Sequence, residues 1–140
     1  MADVHSRETR SYNMSRIKGK DTKPEMLVRR FLHAQGFRYR LHDKKLPGKP
    51  DIVLPKYKTV IFVHGCFWHG HEGCKYFVIP KTRTDWWVEK IEITKQKDEV
   101  NYAKIKDLGF KVIIIWECDL KSSSMESTLK ALVNKIKLSF

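Results

Sequence analysis

The sequence predicts an α/β fold in which a central mixed sheet is flanked by helices. Apolar residues recur with helical spacing in three segments, and short β-branched runs lie between them, which gives the order α-β-β-β-α-β-α. A chain of 140 residues can bury roughly two-thirds of its unfolded surface, enough for one domain with a core. Elements in this order pack as a sheet with helices on its faces.

The first helix is predicted to begin after Thr22. Segment 22–25, Thr-Lys-Pro-Glu, has the form of a capping box with a proline in the first turn, and Gly36 ends the helical pattern. The apolar positions between them are Met26, Leu27, Phe31, Leu32 and Ala34. Residues 1–21 are polar and basic with only scattered apolar residues, so we interpret them as an N-terminal arm that precedes a single domain over residues 22–140.

Three strands are predicted next. FRYRLH (37–42) alternates like a strand with one solvent-facing side, and the β-branched runs 50–54 and 59–63 flank a short PKYK turn, which predicts a hairpin. Residues 64–83 have neither period and are expected to be irregular.

The remaining elements are predicted as helix, strand and helix. A long helix is expected from Thr84 to Gly109, followed by an apolar run at 111–116 typical of a fully buried strand. A second capping box at 123–126 opens the last helix. The apolar stripe of the long helix comprises Trp87, Ile91, Tyr102, Ile105 and Leu108, and that of the last helix Leu129, Leu132, Val133 and Ile136.

The charge of the chain indicates a nucleic-acid partner. It has 28 Lys+Arg against 16 Asp+Glu, a net charge of +12, and a sequence pI of about 9.7. Such an excess in a short chain is more often a footprint for a phosphate backbone than a means of solubility. No apolar leader is visible, and the longest apolar run, 112–116, is too short to cross a membrane. We therefore expect a cytoplasmic protein without a membrane partner.

The segment VHGCFWHGHEGC (63–74) indicates a metal site. It holds three histidines and two cysteines, and the third cysteine, Cys118, follows the predicted buried strand. An odd cysteine count without a secretory leader favours metal ligation over disulfides, and three thiolates with one imidazole form a closed tetrahedral zinc site. The alternative is that Cys118 is a small core residue. The spacing leaves His69 and His71 both open as the fourth ligand.

Two acidic residues are candidates for catalysis. Asp51 follows a proline at a strand start, and the neighbouring strand ends at His64. Metal-dependent nucleases hold Mg²⁺ against the scissile phosphate in this way, although Lys-Pro-Asp is also an ordinary turn signal. Glu25 has two compatible interpretations, as the third residue of the capping box and as a partner for metal-bound water.

Four segments together carry a resemblance to a known family. They are Pro50-Asp51, IFVHGCFWH (61–69), TRTDWWVEKI (82–91) and VIIIWEC (112–118). They resemble the very-short-patch repair (Vsr) endonucleases, bacterial enzymes that nick DNA beside a T:G mismatch, and segment 2–25 resembles that family's arm. The resemblance implies a restriction-endonuclease-like fold of the PD-(D/E)XK type, in which αβββαβ elements surround a Pro-Asp metal site. In this family a histidine-bearing segment replaces the usual acidic-x-Lys motif.

The resemblance also implies roles for individual residues. Asp51 would ligate catalytic Mg²⁺ together with the backbone carbonyl of Val63, and Glu25 would hold metal-bound water. His69 would be the general base, with His64 close by. Structural zinc would be held by Cys66, His71, Cys74 and Cys118. A ring that does not ligate zinc keeps the lone pair that a base needs.

Further residues are implied to contact DNA. Phe67, Trp68 and Trp87 correspond to an aromatic wedge beside the mismatch. Such a wedge unstacks a base step at a cost of roughly a few kcal/mol, least where pairing is poor. Without the resemblance, Trp87 would be interpreted as core. Backbone contacts are expected from arm residues Arg7, Arg10, Arg16 and Lys18.

The sequence departs from the family's pattern at two places. Position 63 is Val where the family typically has Thr, and one extra residue lies in His-Glu-Gly-Cys (71–74). Two other functions remain as alternatives: a related zinc-containing, site-specific endonuclease that acts on fully paired DNA, and a non-enzymatic zinc module that binds nucleic acid. A monomer is expected because nicking one strand needs no two-fold symmetry. The resemblance suggests a mismatch-repair protein as a partner.

Overall fold

The computed structural model describes residues 22–138. The arm residues predicted to contact DNA, Arg7, Arg10, Arg16 and Lys18, lie outside this range. The elements are α1 (Lys23–Ala34), β1 (Arg40–Leu41), β2 (Ile52–Leu54), β3 (Thr59–His64), α2 (Thr84–Asp107), β4 (Lys111–Trp116) and α3 (Met125–Lys137). Their order is the one predicted from the sequence. Among residues 22–138, no helix combines the length and apolar character needed to span a membrane.

The four strands form one mixed sheet in the order β1-β2-β3-β4. The first three pair antiparallel, and β3 pairs parallel with β4, so the predicted mixed sheet is confirmed. The parallel register places His64 opposite Trp116. The segments that follow β3 and β4 therefore start side by side at one edge of the sheet.

Helices cover both faces of this sheet. Because successive side chains of a strand point to opposite faces, β3 sends Ile61 to one apolar cluster and Val60 and Phe62 to the other. The first cluster contains residues of α1 and α3, and the second contains Tyr102 and Ile105 of α2. As the central strand with helices on both sides, β3 is buried over most of its length.

The N-terminus of α1 is capped as predicted. The Thr22 side chain accepts a hydrogen bond from the backbone N–H of Glu25, and Pro24 lies in the first turn. The carboxylate of Glu25 points toward the sheet, and the residue is only 1% exposed. The first turn of α1 therefore places the Glu25 carboxylate in the interior of the protein.

The predicted strand at 37–42 is wrong in its first half. Only Arg40 and Leu41 pair with β2. The N–H of Phe37 instead donates to the carbonyl of Leu32, and the N–H of Gly36, at φ +85°, donates to that of His33. These are the two bonds of a Schellman motif. Phe37 thus belongs to the C-terminal cap of α1.

Three smaller predictions are also wrong. Leu108 lies past the last turn of α2 and is 57% exposed, so it is not part of the apolar stripe. The N-cap of α3 is Ser124, and its side chain makes no capping hydrogen bond. In β4 only Ile113 and Ile115 are buried, because this strand has a partner on one side only within the described sheet.

Candidate active site

The C-terminal end of β3 brings the candidate catalytic residues together. Asp51 lies just before β2, and its Oδ2 accepts a 2.7 Å hydrogen bond from the backbone N–H of Val63. Antiparallel pairing of Ile52 with Ile61 puts the start of β2 beside the end of β3. The observed contact of Val63 is through its amide, and the metal-ligating role of its carbonyl stays a prediction.

A buried and a partly buried carboxylate, those of Glu25 and Asp51, form an acidic pair at this position. Single ligand atoms of Glu25, His42 and Asp51 lie within 4.8 Å of one another. Burial, together with the neighbouring Glu25 carboxylate, raises the pKa of Asp51 from 3.8 to about 6, against the opposing effect of the Val63 hydrogen bond. Two carboxylates in such a site favour a hard divalent cation. The donors present therefore fit Mg²⁺.

His42 is a member of this cluster that sequence reasoning missed. Its Nε2 lies 2.8 Å from Oε2 of Glu25, which Arg29 also contacts at 3.2 Å. Its backbone N–H donates to the carbonyl of Asp51 at 3.1 Å. In the sequence His42 is only the last residue of an alternating segment, and no local pattern relates it to Asp51.

The ring of His69 is oriented by an aspartate of α2. Nδ1 of His69 lies 2.6 Å from Oδ2 of Asp98. A carboxylate only accepts hydrogen bonds, so in the neutral ring Nδ1 carries the proton and Nε2 keeps a lone pair. This is the arrangement of a general base with an orienting carboxylate. Sequence reasoning missed Asp98, although its position one turn before the stripe residue Tyr102 was a usable signal.

Gly70 lets the loop approach α2 closely enough for this contact. It has φ +61°, and a Cβ added there would lie 2.8 Å from Cγ2 of Ile91 and 2.9 Å from Cδ of Lys95. Both the backbone conformation and the space require glycine. Gly70, the residue after His69, therefore allows the loop to pack closely against α2, the helix that carries Asp98.

His64 is buried directly beside His69. It is 4% exposed, and the two rings stack with centroids 3.6 Å apart at 16°. Burial, and then the neighbouring His69, lower the pKa of His64 to about 3, so this ring is neutral at physiological pH. Its Nε2 contacts the hydroxyl of Tyr102.

The histidine pair is better suited to handling a proton than to holding a metal ion. Single ligand atoms of His64, His69 and Asp98 lie within 4.8 Å of one another. Stacked imidazoles, however, hold their ring-nitrogen lone pairs in nearly parallel planes, so two such rings do not direct them at one ion. The site therefore has two chemically distinct parts, which are the carboxylates of Glu25 and Asp51 and the stacked rings of His64 and His69.

The four residues predicted as zinc ligands form one cluster. Single ligand atoms of Cys66, His71, Cys74 and Cys118 lie within 4.8 Å of one another, and Nδ1 of His71 is 3.4 Å from Sγ of Cys118. A tetrahedral zinc ion, with bonds of about 2.0–2.3 Å, separates its donors by about 3.5–3.8 Å. The donor set and its spacing therefore fit zinc. His71 belongs to this cluster, whereas His69 faces Asp98.

The sheet register explains why the cluster forms. Because His64 pairs with Trp116, Cys66 and Cys118 each follow a paired strand end by two residues, and the N–H of Cys118 donates to Sγ of Cys66 at 3.4 Å. The ring of His71 stacks on Trp116 with centroids 4.1 Å apart. Burial and the neighbouring thiols raise the pKa of Cys118 to about 12, and a bound cation would reverse that effect.

The three residues predicted as a wedge also lie together. Phe67 is 5.3 Å from both Trp68 and Trp87 between ring centroids, and Trp68 is 5.8 Å from Trp87. We call these three residues the aromatic cluster. Trp87 contacts the loop aromatics, and Trp68 is 38% exposed. Trp86, which sequence reasoning missed, extends the cluster at 4.7 Å from Trp87.

Comparison with known proteins identifies the family of this chain. A family model described as DNA mismatch endonuclease Vsr matches residues 2–75, which include Asp51, His64 and His69. The chain belongs to the Vsr family. It is 51% identical to the type II nicking enzyme V.NmeAIP of Neisseria meningitidis over 138 residues, which is 98% of each chain. It is also 46% identical to the DNA mismatch endonuclease Vsr of Escherichia coli over 121 residues, 86% of this chain and 77% of that one.

A third relative extends the same pattern. The chain is 44% identical to the type II nicking enzyme V.XorIIP of Xanthomonas oryzae, over 96% of this chain and 98% of that protein. The prediction of an endonuclease is thereby confirmed, and a non-enzymatic zinc module is disfavoured.

Proposed function

We propose that this Vsr-family protein is a Mg²⁺-dependent endonuclease that nicks one DNA strand beside a T:G mismatch. One observation carries the proposal: a continuous set of contacts joins a cation-type site to a proton acceptor. Asp51 binds the amide of Val63, the next residue His64 stacks on His69, and Asp98 orients His69. We further propose that the mixed α/β fold is of the restriction-endonuclease type.

Asp51 would hold the cation in this proposal. Its carboxylate is partly buried beside that of Glu25, and its raised pKa reflects a site that disfavours an uncompensated negative charge. Mg²⁺ bound there would polarise the phosphate and stabilise the charge that develops on it. Glu25, fixed by His42 and Arg29, would accept hydrogen bonds from water around that ion.

His69 would activate the attacking water. Nε2 takes one proton from the water as its oxygen attacks phosphorus, and the bond from phosphorus to the 3′ oxygen breaks. The 3′ oxygen takes up a proton from a second water molecule, which leaves a 5′-phosphate and a 3′-hydroxyl. Asp98 keeps the accepting nitrogen unprotonated beforehand and stabilises the imidazolium afterwards. The buried His64 stays neutral and forms one wall of this position.

We call Cys66, His71, Cys74 and Cys118 the cysteine cluster. This cluster would hold zinc as a structural ion. Residues 65–83 form no helix or strand, yet they carry His69 and two members of the aromatic cluster. A zinc ion on Cys66, His71, Cys74 and Cys118 would tie this loop to the end of β4. The position of the general base then depends on the metal-bound loop.

The aromatic cluster supports recognition of a mismatch. Phe67 and Trp68 lie on the same loop as His69, within three residues of it, and Trp87 supports them from α2. Insertion of such side chains unstacks a base step, which costs least at a mismatch. A T:G pair would therefore be favoured over a paired step beside the same phosphate.

A nicking assay tests this proposal. Two end-labelled duplexes of identical sequence, one paired and one with a single T:G, are incubated with Mg²⁺ at fixed salt. We expect one nick beside the T, confined to the mismatched duplex, and no nick with Asp51→Asn, while the exposed control Asp107→Asn nicks normally. Equal cleavage of both duplexes would contradict mismatch specificity and favour the paired-DNA alternative. Tight binding without cleavage would contradict the catalytic roles.

A further inference from the structure

One face of α2 contacts both of the stacked histidines, His64 and His69. Asp98 and Tyr102 are four residues apart, so they lie one turn apart on the same side of the helix. The Asp98 carboxylate contacts Nδ1 of His69, and the Tyr102 hydroxyl contacts Nε2 of His64. The stacked imidazoles are thus each fixed from the same element by a separate hydrogen bond.

Tyr102 differs from the other buried residues of α2 because it carries a polar group. Ile91 and Ile105 are the other buried residues of α2, and both are purely apolar. Tyr102 is 8% exposed, and a hydroxyl at such a depth costs free energy unless it has a partner. The aromatic ring already packs edge-on against Phe62 at 5.3 Å. Compared with a phenylalanine at this position, Tyr102 therefore adds the hydroxyl contact with His64.

Contact with His64 affects His69 because the two rings stack. With centroids 3.6 Å apart at 16°, the His69 ring cannot tilt toward His64 without moving it. Asp98 contacts only one nitrogen of the His69 ring. The ring could still rotate about that hydrogen bond, so packing must restrain its plane. His64, held at Nε2 by Tyr102, supplies that restraint on one face.

We propose that Tyr102 is a positioning residue of the nicking reaction, whose hydroxyl fixes His64 and through it the plane of His69. The inference rests on the proposed role of His69 as general base. Tyr102 is buried and acts through His64, so it contributes to the rate of the chemical step and not to the binding of DNA.

The test compares Tyr102→Phe with wild type in single-turnover nicking of the T:G duplex. Phenylalanine keeps the packing against Phe62 and removes only the hydroxyl. We expect the rate at saturating protein to fall about tenfold or more, since small misplacements of a catalytic group are costly, while the Kd for the same duplex stays within about twofold. The control Tyr57→Phe removes a hydroxyl at the β2–β3 turn and should leave both values unchanged.

A spectroscopic readout separates positioning from general loss of stability. In wild type the Nδ1–H of His69, held by Asp98, should give a resolved proton resonance coupled to the ring ¹⁵N. We expect it to broaden or disappear in Tyr102→Phe and to persist in Tyr57→Phe. A wild-type rate in Tyr102→Phe, or a slower rate with an unchanged His69 resonance, would overturn the inference alone. No nicking by the wild-type protein would overturn the proposed function as well.

Discussion

At the scale of single residues, Asp51 lies where the folded protein disfavours a negative charge. Burial and Glu25 raise its pKa from 3.8 to about 6. The folded state therefore binds this proton more tightly than the unfolded state does. The resulting loss of stability is fully present above pH 6 and disappears as the pH falls below 3.8. A divalent cation should offset it at neutral pH.

We therefore expect Asp51→Asn to stabilise the metal-free protein. In EDTA at pH 8 the free energy of unfolding should rise by about 1–3 kcal/mol, since each pKa unit corresponds to about 1.4 kcal/mol. Asparagine can still accept the hydrogen bond from Val63. The gain should shrink toward zero by pH 4. Denaturant unfolding at several pH values measures it, and the exposed Glu89→Gln serves as the control. A destabilised Asp51→Asn at pH 8 would contradict this account.

The hydrogen bond from His69 to Asp98 sets the tautomer of the proposed base. An asparagine at position 98 can donate its amide to Nδ1 and thereby place the ring proton on Nε2, which then cannot accept one from water. We expect Asp98→Asn to lower the single-turnover nicking rate by roughly 10²-fold or more with little change in DNA affinity. Asp107→Asn on the same helix is the matched control. An unchanged rate would show that Asp98 does not determine the protonation of His69.

Residues close together in the sequence were predictable, and those brought in by folding were not. Asp51, His64 and His69 lie in short motifs with a recognisable pattern. His42 reaches the site through the pairing of β1 with β2, and Asp98 and Tyr102 reach it through the packing of α2 against the sheet. The ring of Tyr102 also fits an apolar stripe. Hydrophobic spacing does not distinguish a buried hydroxyl with a polar partner from one more core residue.

At the scale of elements, the loop at 65–83 is the part of the site without regular structure. Cys66, His71 and Cys74 lie on it, and Cys118 follows β4. The cysteine cluster therefore closes a connection across the ends of two paired strands. Neither the sheet nor α2 depends on it for its backbone hydrogen bonds, so loss of the cluster should act mainly on the loop.

Replacing one thiol tests this division. We expect wild type to contain one zinc ion per chain and Cys118→Ser to contain almost none. Faster hydrogen exchange should be confined to residues 65–83, and nicking should be lost because His69 lies on this loop. Ser122→Ala is the control. Full zinc occupancy in Cys118→Ser would remove Cys118 from the ligand set, and faster exchange throughout the sheet would contradict a local effect.

The types of the elements were predictable because helices and strands differ in the period of their apolar residues and helices have capping residues. The ends of several elements were not predictable. Phe37 begins an alternating segment in the sequence, yet its N–H completes the C-terminal cap of α1. Leu108 continues the apolar spacing of α2 one turn beyond the point where the sheet still covers it. Both errors arise because the spacing of apolar residues along the sequence does not show where a neighbouring element packs against them.

At the scale of the whole molecule, the net charge of +12 gives a source of DNA affinity that does not depend on sequence. In the proposed function, uncharged aromatic rings recognise the mismatch. The two contributions should therefore separate experimentally. Salt should weaken binding to paired and mismatched duplexes alike, while the difference between the two duplexes should be nearly independent of salt.

This separation gives a prediction for the arm. Each phosphate contact contributes about 0.9 to the slope of log affinity against log salt concentration. Replacing Arg7, Arg10, Arg16 and Lys18 together with Gln should therefore reduce the magnitude of that slope by up to about 4 while keeping the preference for the T:G duplex. Trp68→Ala should do the reverse, with the slope unchanged and the preference reduced. Fluorescence anisotropy between about 50 and 200 mM salt measures both quantities. A quadruple variant with the wild-type slope would show that the arm does not contact phosphate, and the charge responsible would then lie within residues 22–140.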